Sequence, residues 1–137
     1  MVELLLKKAL QVRQRLARIR AALPARAEDV LADEKLEAFL AFNIFLLIQD
    51  AVDLATHVVA ERGLAVPASQ REAFEALASA GLVSKETAAA MGQVASLRNR
   101  IAHAYGDLDP VRMVREAPVG LAHVDNLLAE LTRAITP

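Results

Sequence analysis

From Asp33 to Gly63 the chain reads DEKLEAFLAFNIFLLIQDAVDLATHVVAERG, and this stretch decides the fold class. Asp33 is placed to cap a helix, its carboxylate taking N–H groups that the first turn leaves without partners. The middle is apolar nearly all round: Phe39, Leu40, Phe42, Ile44, Phe45, Leu46, Leu47 and Ile48. Gly63 supplies the left-handed residue on which such a helix closes. The pattern predicts one long helix reaching about Arg62, with a middle that is buried or sits in an interface.

Outward from it, everything periodic is helical. Leu5, Ala9, Val12, Leu16, Ile19 and Leu23 recur at steps of four and three and form one stripe, which Pro24 ends. On the other side Pro67 breaks the chain. Ser69-Gln-Arg-Glu72 is a capping box for a third helix through about Ala80, stopped by Gly81. Ser84 is a cap for a fourth helix, which runs through Arg98–Tyr105 and ends at Gly106-Asp107. Asp109-Pro110 reads as N-cap and first position of a fifth. Pro118 is expected to interrupt or restart it before a last stripe of Leu121, Val124, Leu128, Leu131 and Ile135. No strand pattern of comparable length competes, and there is no internal repeat or low-complexity linker. The expected fold is all-α: a single domain over residues 1–137, a bundle of about five helices, up-and-down with short loops.

Composition narrows the chemistry. With 137 residues the chain is long enough to bury a core without staples, and it has no cysteine, hence no disulfide, thiolate zinc site or cysteine nucleophile. His57, His103 and His123 are too scattered in sequence for metal-ligand spacing. Without Trp and with one Tyr, stacking platforms for nucleic acid are scarce. Net charge is −1, so any attraction to nucleic acid must come from local patches. One is a basic run (Lys7, Lys8, Arg13, Arg15, Arg18, Arg20, Arg26) before an acidic one (Glu28, Asp29, Asp33, Glu34, Glu37). It reads either as a solvated face beside an acidic turn or as a rim for RNA or an acidic partner. Met1-Val-Glu-Leu-Leu-Leu-Lys lacks the layout of a signal peptide, and the most apolar window, Phe39 to Ile48, is short of the ~20 residues that span a bilayer. A soluble, cytoplasmic protein with no membrane association is expected.

Chemistry concentrates in Arg98-Asn99-Arg100-Ile101-Ala102-His103-Ala104-Tyr105. On a helix Asn99 and His103 share a face, and Arg98 and Tyr105 share a neighbouring one if the helix continues that far. Small Ala102 projects between Arg98 and His103 and leaves a gap. A fixed cation, a titratable imidazole and a gap suit a phosphodiester better than a core. In the second helix Asn43, Asp50, Asp53 and His57 fall within ~80° of one another. This is either the solvent face or, since Leu46, Leu47 and Leu54 share the arc, a partly apolar contact surface. A carboxylate buried there needs a partner, and Arg98 is the natural candidate for Asp50 or Asp53.

The eight residues, with Arg98, four residues, His103, one residue and Tyr105, resemble the signature of the HepT-like toxins, a branch of the HEPN superfamily. The running pattern agrees in order: Gln49-Asp50-Ala51-Val52-Asp53-Leu54-Ala55, then Arg71-Glu72-Ala73-Phe74 with Leu77 and Ala80-Gly81-Leu82-Val83, then the motif itself. It covers roughly Asp33 to Pro110 well and the flanks loosely. Ala102 departs from the bulkier apolar residue often found there.

The resemblance implies an all-helical, homodimeric, metal-independent endoribonuclease with no cofactor. It would be the toxin of a type VII (HEPN/MNT) toxin–antitoxin pair. The motif helices of two copies would meet at the dimer cleft, and the apolar excess of the second long helix makes that helix an expected part of the two-fold interface. The implied partner is a minimal nucleotidyltransferase (MNT) antitoxin, in a complex of dimer size or higher, that silences the toxin by attaching AMP to Tyr105. The residues suit this. RNA carries its own nucleophile, so the enzyme must only move protons, a task for His103, and hold charge on phosphorus, a task for Arg98. Asn99, Asp50 and Asp53 would support them. Tyr105 would bind RNA, accept AMP, or both. The competing reading is a non-catalytic helical module that docks a nucleotidyltransferase or holds a nucleotide. The intact Arg98–His103 pair favours the enzyme, since a scaffold has no use for it.

Overall fold

Helix ends are set by the side chains that the sequence singles out. The structure, a computed structural model, describes residues 2–103 and 108–136. Five α-helices, α1 Val2–Ala22, α2 Glu34–Glu61, α3 Gln70–Ser79, α4 Lys85–His103 and α5 Pro110–Ile135, are joined by short connections, with no strand among the described residues. Asp33 caps α2 by accepting the Leu36 N–H at 3.0 Å. Gly63 (φ 65°) and Gly81 (φ 76°) close α2 and α3. Each lets the next residue bond back across the helix end, Leu64 N–H to the Val59 carbonyl and Leu82 N–H to the Leu77 carbonyl. That pairing consumes the last carbonyls and folds an apolar side chain onto the final turn. Ser69 accepts the Glu72 N–H at 3.1 Å, and Glu72 reaches back to the Ala68 N–H at 2.7 Å. Asp109 accepts from both Val111 and Arg112 and opens α5.

α2 is the central post, in contact with all four other α-helices. Leu40, Ile44, Leu47, Ile48, Ala51 and Ala55 face a single core shared with Leu5, Leu16 and Ile19 of α1, Phe74 and Leu77 of α3, Met91 of α4 and Leu127 and Leu128 of α5. The apolar excess of α2 exceeds what the core uses: Phe39 and Phe42 remain 41% and 61% exposed. The apolar stretch is also longer than Phe39–Ile48. By length and composition alone α2 is long and apolar enough to cross a membrane, but 56% of its most apolar window is buried inside the bundle.

Two features depart from expectation. A 3₁₀ helix, Ala27–Ala32, occupies the acidic stretch before α2. It is anchored rather than merely solvated: Val30 is fully buried, and Glu28 accepts from Arg115 of α5 at 2.8 Å. Arg20 likewise pairs with Asp125 of α5, while Lys7, Arg13, Arg18 and Arg26 stay exposed. Second, Pro118 neither interrupts nor restarts α5, which is continuous through it. The pyrrolidine removes one N–H and faces solvent. Met113, Val114, Ala117, Leu121, Val124 and Leu128 are buried in one register on both sides of it. Burying that face offsets the ~3 kcal/mol a helix-interior proline costs.

The cap of α4 is completed by α5. Ser84 accepts the Thr87 N–H at 3.1 Å, but its own N–H goes to Glu130 at 2.6 Å, and the Thr87 hydroxyl donates to the other Glu130 oxygen. Glu130 thus fills, from another helix, the place of the acid in a capping box. Burial pushes the Glu130 carboxyl up, but the Thr87 and Ser84 hydrogen bonds outweigh it, and the net shift is downward. A carboxyl lowered in the folded state stabilises above its unfolded pKa and loses that contribution as pH falls through the folded one. Glu130→Gln should cost about 1–2 kcal/mol at pH 7. The deficit should shrink once pH falls below about 4.3. Denaturant melts of both proteins at pH 7 and pH 3 check this; a pH-independent deficit would contradict it.

Candidate functional site

The part of the motif from Arg98 to His103 forms the end of α4. Arg98 lies on the α2 side and is only partly exposed. Its guanidinium carbon sits 4.9 Å from the centre of the Phe45 ring. One terminal nitrogen donates to Gln49 Oε1 at 2.6 Å, the other to Asn99 Oδ1 at 3.1 Å. Gln49 is itself oriented: its amide nitrogen donates to Asp53 Oδ1 at 3.1 Å. Phe45, Gln49 and Asp53 are spaced four apart, so α2 presents a ring, an acceptor and a charge along one face. The guanidinium is held by neutral oxygens and an aromatic face, and it forms none of the ion pairs among the described residues. Its Nε is buried with no acceptor among them. The guanidinium is thus fixed in direction without a carboxylate partner among the described residues.

Neither carboxylate expected to hold Arg98 bonds to it directly. Asp50 does not hold Arg98. It accepts from Arg15 Nε of α1 at 3.0 Å, and Arg15 Nη1 also donates to Asn43 Oδ1 at 3.0 Å. Asn43 is buried, its amide nitrogen bonded to the Phe39 carbonyl. The polar arc of α2 therefore splits. Asn43 and Asp50 seal the α1–α2 seam, Asp53 reaches Arg98 only through Gln49, and His57 is exposed. The reason is geometric: Asp50 lies ~100° from Gln49 around α2 and turns toward α1 rather than α4. Asn99 is exposed and accepts from Arg98, and so supports the guanidinium directly. Gln49 and Phe45 were not singled out for a role, although their spacing with Asp53 was available as a signal.

His103 is the last residue of α4. Its side chain and that of Ala102 lie outside the described residues, as does Tyr105 entirely. Along an ideal helix five residues place His103 ~7.5 Å and ~140° from Arg98, and one turn beyond Asn99. Beside this end of α4 a cavity of about 230 Å³ is lined by Leu97, Leu108 and Met113 together with two guanidinium groups, Arg100 of the motif and Arg112, and two carboxylates, Asp109 and Glu116. Arg112 is paired with Glu116 at 3.1 Å. Among the described residues no three His, Asp or Glu side chains converge as a metal site would need.

Over residues 12–131 the sequence matches the family model for ribonuclease HepT-like proteins. The chain belongs to the HepT-like family. No curated protein matches it in sequence. Solved structures similar to this HepT-like chain share its fold at low identity. One is the tri-AMPylated Shewanella oneidensis HEPN toxin in complex with MNT antitoxin, with 20% identity, a TM-score of 0.83, and coverage of 97% of this chain and 99% of that one. Another is a toxin–antitoxin with AMP-PNP, with 18% identity, a TM-score of 0.86, and coverage of 96% and 98%. A third is a mutant of the toxin–antitoxin MntA–HpeT, with 19% identity, a TM-score of 0.80, and coverage of 94% and 98%.

Proposed function

We propose that this HepT-like protein is the toxin of a HEPN/MNT toxin–antitoxin pair and a metal-independent endoribonuclease. The observation that carries the reading is Arg98. It is aimed by Gln49 and Asn99 and stacked near Phe45, and it carries no carboxylate partner among the described residues. Such a guanidinium grips the non-bridging oxygens of a phosphodiester, and its hold strengthens as charge builds on phosphorus. His103 takes the proton from the ribose 2′-hydroxyl. That oxygen attacks phosphorus, the 5′-oxygen of the next nucleotide leaves, and a second imidazole returns a proton to it. A homodimer supplies both imidazoles. The exposed Phe39 and Phe42 lie within ~80° of Gln49 and Asp53 around α2, so an apolar surface borders the Arg98 anchor. That surface suits a two-fold interface built from α2 and α4.

The partner is a minimal nucleotidyltransferase, in keeping with the antitoxin complexes of structurally similar chains, one of them AMPylated. AMP on Tyr105 would bring a phosphate and a base to the motif and exclude RNA by bulk and by charge. The purified protein should cut single-stranded RNA in excess EDTA and leave 2′,3′-cyclic phosphate ends. A strand with 2′-deoxyribose at the scissile position should remain whole. Loss of cutting in EDTA, or cleavage of the deoxy-substituted strand, would overturn the mechanism.

A further inference from the structure

A second pocket, of about 260 Å³, opens where the start of α3 lies against α4. Its walls are Ser69, Gln70 and Arg71 on one side and Gly92, Ser96 and Asn99 on the other. It therefore shares Asn99 with Arg98, whose guanidinium donates to that side chain. Gly92 to Asn99 spans ~10 Å of helix, so the pocket and the Arg98 anchor lie on one continuous track.

Three observations give the pocket a chemistry. Arg71 lies flat on the helix backbone: a Cβ built on Gly92 would stand 3.1 Å from its Nη1 and 3.2 Å from its Cζ, and the three nearest atoms all belong to Arg71. Glycine inside a helix weakens it relative to alanine, and Arg71 is the neighbour nearest the space it leaves. Arg71 forms none of the ion pairs among the described residues. Gln70 Oε1 is buried with no hydrogen-bond donor among the described residues. The start of α3 contributes little of its own, because Ser69 already takes the Glu72 N–H. What remains is a cation and an acceptor without a donor among the described residues, both from the start of α3, against the small-residue wall of α4. A group that fits both is anionic at one end and donates a hydrogen bond at the other, as a nucleotide does with its phosphodiester and its ribose hydroxyl or base N–H.

We propose that this pocket is a subsite for the RNA strand: Arg71 holds a phosphodiester neighbouring the one at Arg98, and the Gln70 amide accepts from the attached ribose or base. The proposal rests on the ribonuclease reading of Arg98. The subsite binds substrate without touching the reacting atoms, so its loss appears in KM. On single-stranded RNA, Arg71→Ala should raise KM by about fivefold to tenfold while kcat stays within about twofold. One lost phosphate contact should also flatten the dependence of log KM on log salt by about 0.7, and Arg71→Lys should restore that slope. Gly92→Ala should raise the melting temperature by a few degrees and raise KM at the same time, because the new methyl displaces the guanidinium. Unchanged KM and salt slope in Arg71→Ala, on a protein that cuts RNA, overturns the subsite alone. So does weaker binding of the nucleotidyltransferase with RNA kinetics untouched, which would make the pocket a protein dock. If the wild-type chain cuts no RNA, the ribonuclease reading fails and the subsite with it.

Discussion

Replacing His103 with alanine is expected to lower RNA cleavage by about 10²–10⁴-fold and to leave the bundle folded. The expected size follows from the division of labour in RNA transesterification. The substrate brings the nucleophile, so the protein's contribution is proton transfer and charge stabilisation. Imidazole is the side chain whose unperturbed titration lies nearest neutral pH. Folding should survive because His103 is the terminal residue of α4, and the helix is held by Met91, Val94, Ala95 and Ile101 on its buried face. The check is an initial-rate comparison on one RNA strand, with thermal melts of both proteins run beside it. In cells, growth arrest on induction should vanish with the variant while soluble protein still accumulates. A folded variant that keeps more than about a tenth of the wild-type rate would remove His103 from proton transfer.

Much of the fold was legible because helix ends are local events. Asp33, Ser69, Asp109, Gly63 and Gly81 act within a few residues of themselves, and each does what its chemistry dictates. The site was legible only in part, for a physical reason. A period of 3.6 tells which residues share a face of one helix, but not which face of another helix meets it. The pair Arg98–Gln49 spans 49 positions and Arg15–Asp50 spans 35. Offering Asp50 or Asp53 as the anchor of Arg98 rests on charge alone, whereas geometry gives Asp50 to Arg15 of α1 and Asp53 to Gln49. Arg15 was within reach of sequence reasoning, since it lies ~40° from Ile19 on the edge of the apolar stripe of α1. Glu130 completing the cap of α4 was not, because nothing near Ser84 announces an acceptor from another helix. Pro118 misled because its local cost is real, while the packing that offsets it is spread along the whole of α5.

Arg98 tests the proposal most directly, because its surroundings separate a functional cation from a structural one. A structural arginine is embedded in acceptors, and truncating it strands them and destabilises the fold. Arg98 meets two neutral oxygens and an aromatic ring, and leaves its buried Nε without an acceptor among the described residues. Truncation therefore removes a poorly satisfied donor along with two good bonds. Arg98→Ala should change stability by no more than about 1 kcal/mol, with RNA cleavage down by about 10²–10³-fold as a transition-state contact is lost. Arg98→Lys should recover little of the activity, because a single ammonium cannot meet Gln49, Asn99 and two phosphate oxygens together or present a flat face to Phe45. Measured in the same preparations, melting temperature should stay nearly level across the three proteins while kcat/KM falls steeply. The opposite pattern, a large loss of stability with the residual folded protein fully active, would make Arg98 a clamp between α2 and α4 and leave the ribonuclease without its anion grip.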